Sequence, residues 1–157
     1  MTFEKKFIHS SQLYVATEPT EIHTVLGSCV AVCLVDATTY IAGMNHYLLP
    51  LWNNDGIPSP KFGNISIVKL IEAMEKAGCK RRNLKAKVFG GASPGELINR
   101  QIGDRNIDIA IDLLKEYKIP ILGKDVGGIR SRKIVLNSVT GKVILRYPNK
   151  KVGVDIK

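Results

Sequence analysis

Apolar positions along this chain recur with two different periods. From Gly63 to Ala77 they fall at Ile67, Leu70, Ile71, Met74 and Ala77. That three-and-four spacing puts them on one stripe of an α-helix, and Gly78 behind them is a natural helix stop. The same spacing at Ile107, Ala110, Ile111 and Leu114 predicts a second helix from about Gly103 to Tyr117. The remaining apolar runs are short and rich in β-branched residues, which predicts strands at Gln12–Ala16, Glu21–Leu26, Cys29–Val35, Tyr40–Leu48, Leu84–Phe89, Ile121–Val126, Lys133–Asn137 and Val143–Tyr147. Cys29–Val35 is apolar throughout, as a strand covered on both faces must be. Asp36-Ala37-Thr38-Thr39 reads as the turn into its partner strand, and Thr140-Gly141 as a second hairpin turn. Pro50 to Lys61, with Pro50, Pro58, Pro60 and Asn53-Asn54-Asp55-Gly56, reads as a loop. Strands outnumber helices and neighbours are hairpin-linked, so the expected class is α+β rather than a doubly wound sheet.

Composition narrows the chemistry. A length of 157 residues fits one domain spanning 1–157, large enough to bury its own core. Hydrophobic residues at 45% and charged residues at 24% are ordinary for a globular protein. No apolar run approaches the roughly 20 residues that span a bilayer. No apolar segment follows the charged N-terminus, so membrane insertion is not expected and a cytoplasmic location is. The net charge of +9 raises the question of nucleic acid. The basic residues are scattered, however, and aromatics at 6% do not interleave with them as stacking platforms. A solvated or partner-steering surface is the expected reading.

Three cysteines, Cys29, Cys33 and Cys79, are an odd set and a poor disulfide framework. On one strand Cys29 and Cys33 lie about 13 Å apart, too far to share one tetrahedral zinc ion. Gly90-Gly91-Ala92 follows a strand but lacks the Gly-Lys-Ser/Thr of a nucleotide-phosphate loop. No cofactor or metal is expected.

Cys29 and His46 hold the chemical interest. Cys29 lies in Leu26-Gly27-Ser28-Cys29-Val30, and His46 in Met44-Asn45-His46-Tyr47-Leu48-Leu49-Pro50. A thiol and an imidazole within hydrogen-bond reach make a nucleophile and its base. Cys29 lies seven residues before Asp36 and His46 seven after Thr39. A two-residue turn between Asp36 and Thr39 therefore makes the two direct cross-strand partners, with an ionised sulfur aimed by the imidazole. Gly27 is expected to let the backbone turn sharply, so that main-chain amides from Gly27 and Ser28 to Cys29 form an oxyanion hole. His23 and Thr24, one strand upstream, are alternatives for orienting the imidazole, and alternation points them to opposite faces. Cys33 reads as core and His9 as surface.

Taken in order, these pieces resemble the chemoreceptor glutamine deamidase (CheD) family over roughly Tyr14 to Tyr147. The resemblance rests on Leu26-Gly27-Ser28-Cys29-Val30-Ala31-Val32-Cys33, on Met44 to Pro50, and on Gly90-Gly91-Ala92-Ser93. It extends to Ile102-Gly103-Asp104-Arg105-Asn106 and to Asp125-Val126-Gly127-Gly128 with Arg130 and Arg132. It implies an α/β sandwich of strands with flanking helices, akin to the catalytic domain of cytotoxic necrotising factor toxins. It further implies hydrolysis of selected glutamines of methyl-accepting chemotaxis receptors to glutamate, in some members also of receptor glutamyl methyl esters, and docking to a CheC-type phosphatase. It carries the catalytic cysteine to Cys29, the histidine to His46 and a threonine to Thr24, although an ungapped match sets His23 there. Asn64 stands where many members have an acidic residue, and Pro94 where a methionine is common.

Overall fold

The structure is a computed structural model that describes residues 2–93 and 97–148, with backbone alone for 97–100. Nine strands and two α-helices follow in the order β1 (Glu4–Phe7), β2 (Leu13–Ala16), β3 (Thr20–Leu26), β4 (Val30–Asp36), β5 (Ile41–Asn45), α1 (Gly63–Lys76), β6 (Lys85–Gly90), α2 (Leu97–Glu116), β7 (Ile121–Val126), β8 (Arg132–Asn137) and β9 (Val143–Arg146). The strands form two mixed sheets, a four-stranded one in the order β1-β3-β8-β9 and a five-stranded one in the order β2-β5-β4-β6-β7. Pairs β1–β3 and β6–β7 are parallel and the others antiparallel. The α+β class expected from the hydrophobic pattern is the class observed.

Three layers result. The two sheets close on one core that includes Ile22, Leu26, Ala31, Cys33, Met44 and Ile134. The helices cover the far face of the five-stranded sheet, where Ile67, Leu70, Met74, Ala110 and Leu114 meet Val30, Val32 and Leu34. Strand β4 thus contributes Ala31 and Cys33 to one core and Val30, Val32 and Leu34 to the other, which explains its unbroken apolar run. Each fully buried Leu, Ile or Met side chain is worth about 1.5–3 kcal/mol of transfer free energy. Among the described residues, no helix is long and apolar enough to cross a membrane.

Three features differ from the sequence expectation. β1 carries no apolar pattern because all four of its residues are exposed on a sheet edge. α2 begins before Gly103, a glycine required inside the helix by packing. A Cβ there would come within 2.6 Å of the Gly91 carbonyl oxygen and 2.9 Å of that of Ala92. The third difference is the β4–β5 register. Asp36 pairs with Ile41 and Cys33 with Met44, and a bridge continues the register at Val30–Tyr47. The turn holds four residues, Ala37 to Tyr40, not two. Asp36 Oδ1 accepts hydrogen bonds from the Thr38 amide (2.8 Å) and hydroxyl (2.6 Å), and Tyr40 closes the turn in the left-handed region at φ 59°. Cys29 and His46 are therefore not direct partners. A shift of two keeps both on one face of the sheet and makes them diagonal neighbours.

Candidate active site

The chain passes from the four-stranded to the five-stranded sheet through Gly27-Ser28-Cys29, between β3 and β4. Each carbonyl of this crossover is tied. The Ala92 amide donates to Gly27 O (3.0 Å), Asn106 Nδ2 to Ser28 O (3.0 Å), and the Gly91 amide to Cys29 O (2.9 Å). The Ser28 amide has no main-chain acceptor among the described residues, and the Cys29 amide faces its own sulfur. With every C=O turned into the protein, these N–H groups beside a half-buried thiol have the makings of an anion cradle. The glycine that this geometry demands is Gly90, at φ 109°, because a Cβ there would overlap the Cys29 carbonyl oxygen. Gly27 differs from expectation. The chain does bend at Gly27 and Ser28, but Gly27's φ is outside the left-handed region and a Cβ there would meet nothing within 4 Å, so the bend does not require glycine and open space lies beside it.

His46 follows β5 directly. One residue earlier Asn45 opens the ladder, its Oδ1 accepting the Val32 amide at 2.6 Å in place of a main-chain carbonyl. The His46 backbone is held from the β2 side, its amide donating to Gln12 O (3.1 Å) and its carbonyl accepting from the Ser11 amide (2.8 Å). The buried ring reaches across the seam between the sheets, and Nδ1 lies 2.7 Å from Thr24 Oγ1 on β3. The Thr24 hydroxyl also donates to Ile8 O at 2.8 Å. A hydroxyl has one proton. With that proton spent on Ile8, Thr24 Oγ1 can only accept from His46, so the proton sits on Nδ1 and Nε2 keeps its lone pair. His23 points the other way. It stacks on Phe7 at 4.5 Å between centroids, and its Nε2 lies 3.9 Å from Glu21. Strand alternation separates the two candidates as expected. His9 is exposed.

Electrostatics correct the expectation of an ionised sulfur. Burial holds the His46 pKa down at about 4, with a smaller push from His9. Burial also raises the Cys29 thiol, outweighing its own backbone amide. No side chain hydrogen-bonds to Cys29 Sγ among the described residues. Both groups therefore rest uncharged at neutral pH, a neutral thiol and a neutral imidazole. Cys33 is wholly buried and pushed up to about 12, so it is inert.

Two further groups hold the site and carried no role in the sequence reading. Asn106, buried in the middle of α2, joins Ser28 O to Leu48 O (2.9 Å). Its signal was its place in the Gly103-Asp104-Arg105-Asn106 piece. Arg132 is buried opposite Leu26, donating to Asp125 Oδ1 (2.7 Å), Gly127 O (2.8 Å) and Gly90 O (3.4 Å), while the Tyr147 hydroxyl donates to the same Asp125 oxygen at 2.9 Å. The network braces Gly90 and hence the Cys29 carbonyl. Asn64 accepts the Trp52 amide through Oδ1 at 2.9 Å, tying the loop behind His46 to the first turn of α1. Pro94 lies outside the described residues. Among the described residues no three His, Cys, Asp or Glu side chains converge as a metal site.

Thr24 and His46 meet across the seam between the two mixed sheets, and Cys29 lies on the His46 face of the five-stranded sheet. The family model described as "CheD chemotactic sensory transduction" matches residues 48–147. A protein of Sulfurimonas denitrificans named "Probable chemoreceptor glutamine deamidase CheD" is 60% identical over 96% of this chain and 98% of its own length. A span of that size takes in Thr24, Cys29 and His46. Similar proteins from Anaeromyxobacter dehalogenans ("CheD 1") and Trichlorobacter lovleyi are 46% and 44% identical, covering 89% and 90% of this chain and 82% and 89% of theirs. The chain belongs to the CheD family.

Proposed function

We propose that this protein is a protein-glutamine deamidase that converts glutamines of methyl-accepting chemotaxis receptors to glutamate in the cytoplasm. The observation that carries the reading is the chain Ile8 O, Thr24 hydroxyl, His46 Nδ1, because it leaves Nε2 as a base on the face that also carries Cys29. His46 Nε2 takes the Cys29 proton as sulfur attacks the side-chain Cδ of the glutamine. The oxyanion that forms is held by the Ser28 and Cys29 amides, worth about 10²–10³-fold per donor. His46 returns the proton to the nitrogen, the C–N bond breaks and ammonia leaves a thioester. Water, deprotonated by the same imidazole, splits the thioester into glutamate and free thiol. Thr24 is the positioning residue, Cys29 and His46 the catalytic ones.

A glutamyl methyl ester would enter the same path and release methanol. A CheC-type phosphatase is the proposed regulatory partner, and the basic surface favours encounter with acidic receptor segments. The test is ammonia release from a receptor cytoplasmic fragment. Activity that vanishes in Cys29→Ala and survives Cys33→Ala is expected. Equal activity in both variants, or none in the unaltered protein, removes the reading.

A further inference from the structure

Asn106 is fully buried, yet its side-chain amide is only half satisfied. Nδ2 donates to Ser28 O at 3.0 Å and Leu48 O at 2.9 Å, while Oδ1 has no partner among the described residues. The orientation is fixed, since a flipped amide would set its oxygen against two carbonyl oxygens. An apolar residue would cost less at a buried helix position than an amide with an orphaned oxygen. Ordinary core packing therefore does not explain the choice, and what the two donated bonds connect does. Ser28 precedes the thiol by one residue and Leu48 follows the imidazole by two. The main-chain ladder between these segments is interrupted at Val32, whose amide goes to Asn45 Oδ1, and its last rung is Val30–Tyr47 (3.2 and 3.0 Å), so Asn106 ties the two segments just beyond the end of the ladder. The Tyr47 hydroxyl donates to the Asn106 carbonyl at 2.5 Å and anchors α2 at this point.

We infer that Asn106 is a positioning residue of the deamidation site, a clamp whose two N–H groups set the Cys29 crossover against the His46 segment. The inference rests on the deamidase reading for its catalytic consequence but not for its geometry. Misplacing a catalytic group by about 1 Å can cost on the order of 10²-fold in rate. Asn106→Asp retains shape and volume but at neutral pH has no proton to donate to either carbonyl. Asn106→Ala removes both donation and volume.

The experiment measures three quantities on the intact chain: kcat and KM on a receptor fragment, and amide hydrogen exchange residue by residue. Both variants are expected to lose roughly 10- to 100-fold in kcat with KM within about threefold. Exchange should accelerate at the Gly91 and Ala92 amides, which bond to the crossover, and stay unchanged at Ile134 and Leu136 in β8. A space-filling residue would instead leave N106D near full activity, and that outcome overturns the clamp. So does acceleration spread evenly through β8, which marks a general loss of stability. If the unaltered protein releases no ammonia while the variants still loosen Gly91 and Ala92 selectively, the clamp stands and the deamidase reading falls.

Discussion

Replacing Thr24 by valine tests the site most sharply, because it removes one hydroxyl and keeps a β-branched side chain on the strand. Two bonds go at once, the one His46 Nδ1–H donates (2.7 Å) and the one Thr24 donates to Ile8 O (2.8 Å). A buried donor left without its acceptor costs about 1–3 kcal/mol. At Nδ1 that penalty falls on the tautomer with the proton in place, and the other tautomer, which has a proton on Nε2 and cannot serve as base, gains by the same amount. At about 1.4 kcal/mol per tenfold, kcat falls roughly 5- to 150-fold. KM is expected to move little, since neither atom is offered to substrate. The orphaned Ile8 carbonyl should lower unfolding stability by a further ~1–3 kcal/mol, read by urea titration. Thr24→Ser retains the hydroxyl and most of the rate. Ammonia release by Thr24→Val within twofold of the unaltered protein would refute the tautomer lock.

Other consequences are open to measurement. Since the His46 pKa is held at about 4, kcat/KM should keep its value down to about pH 5 and fall near pH 4, and an acid limb near 6.5 would contradict the buried base. The same depression means that the unfolded chain takes up a proton below pH 6.5 when the folded one does not. Stability should therefore drop by about 3 kcal/mol between pH 6.5 and 4, with a slope that His46→Gln flattens. Gly27→Ala should leave stability within about 1 kcal/mol, its Cβ meeting open space, yet lower kcat/KM at least tenfold if substrate fills that space. Gly90→Ala, strained at φ 109° and overlapping Cys29 O, should instead disrupt the crossover and unfold at lower denaturant. Arg132→Met should cost about 3 kcal/mol in denaturant unfolding, near the low end because Asp125 is a quarter exposed.

Much of the architecture was legible because burial leaves a period in the sequence. Ile67, Leu70, Ile71 and Met74 mark α1 by spacing alone, and β4 declares two covered faces by having no polar position before Asp36. What stayed hidden was set by single turns and distant contacts. The four-residue turn at Ala37–Tyr40 depends on one Asx hydrogen-bond pair and one left-handed residue, neither of which has a periodic signature. β1 is an exposed ribbon of Glu-Lys-Lys-Phe, written like a loop. Cys29 and His46 were singled out by their types and setting, and the register error of two left them on one face only because strand alternation repeats every two residues. Protonation was not legible, since it follows from the burial of both groups. Asn106 was invisible as chemistry because its partners lie 78 and 58 residues away.

The imidazole and the thiol belong to one sheet, while the threonine that holds the proton on Nδ1 belongs to the other. Reactivity is therefore a property of the docked sandwich, not of either half. A nascent chain that has built its five-stranded sheet alone would expose the sulfur next to an imidazole free to carry its proton on either nitrogen. Under the proposed chemistry its potency would arrive only with the last layer, so completion of folding would double as a safety catch on the thiol.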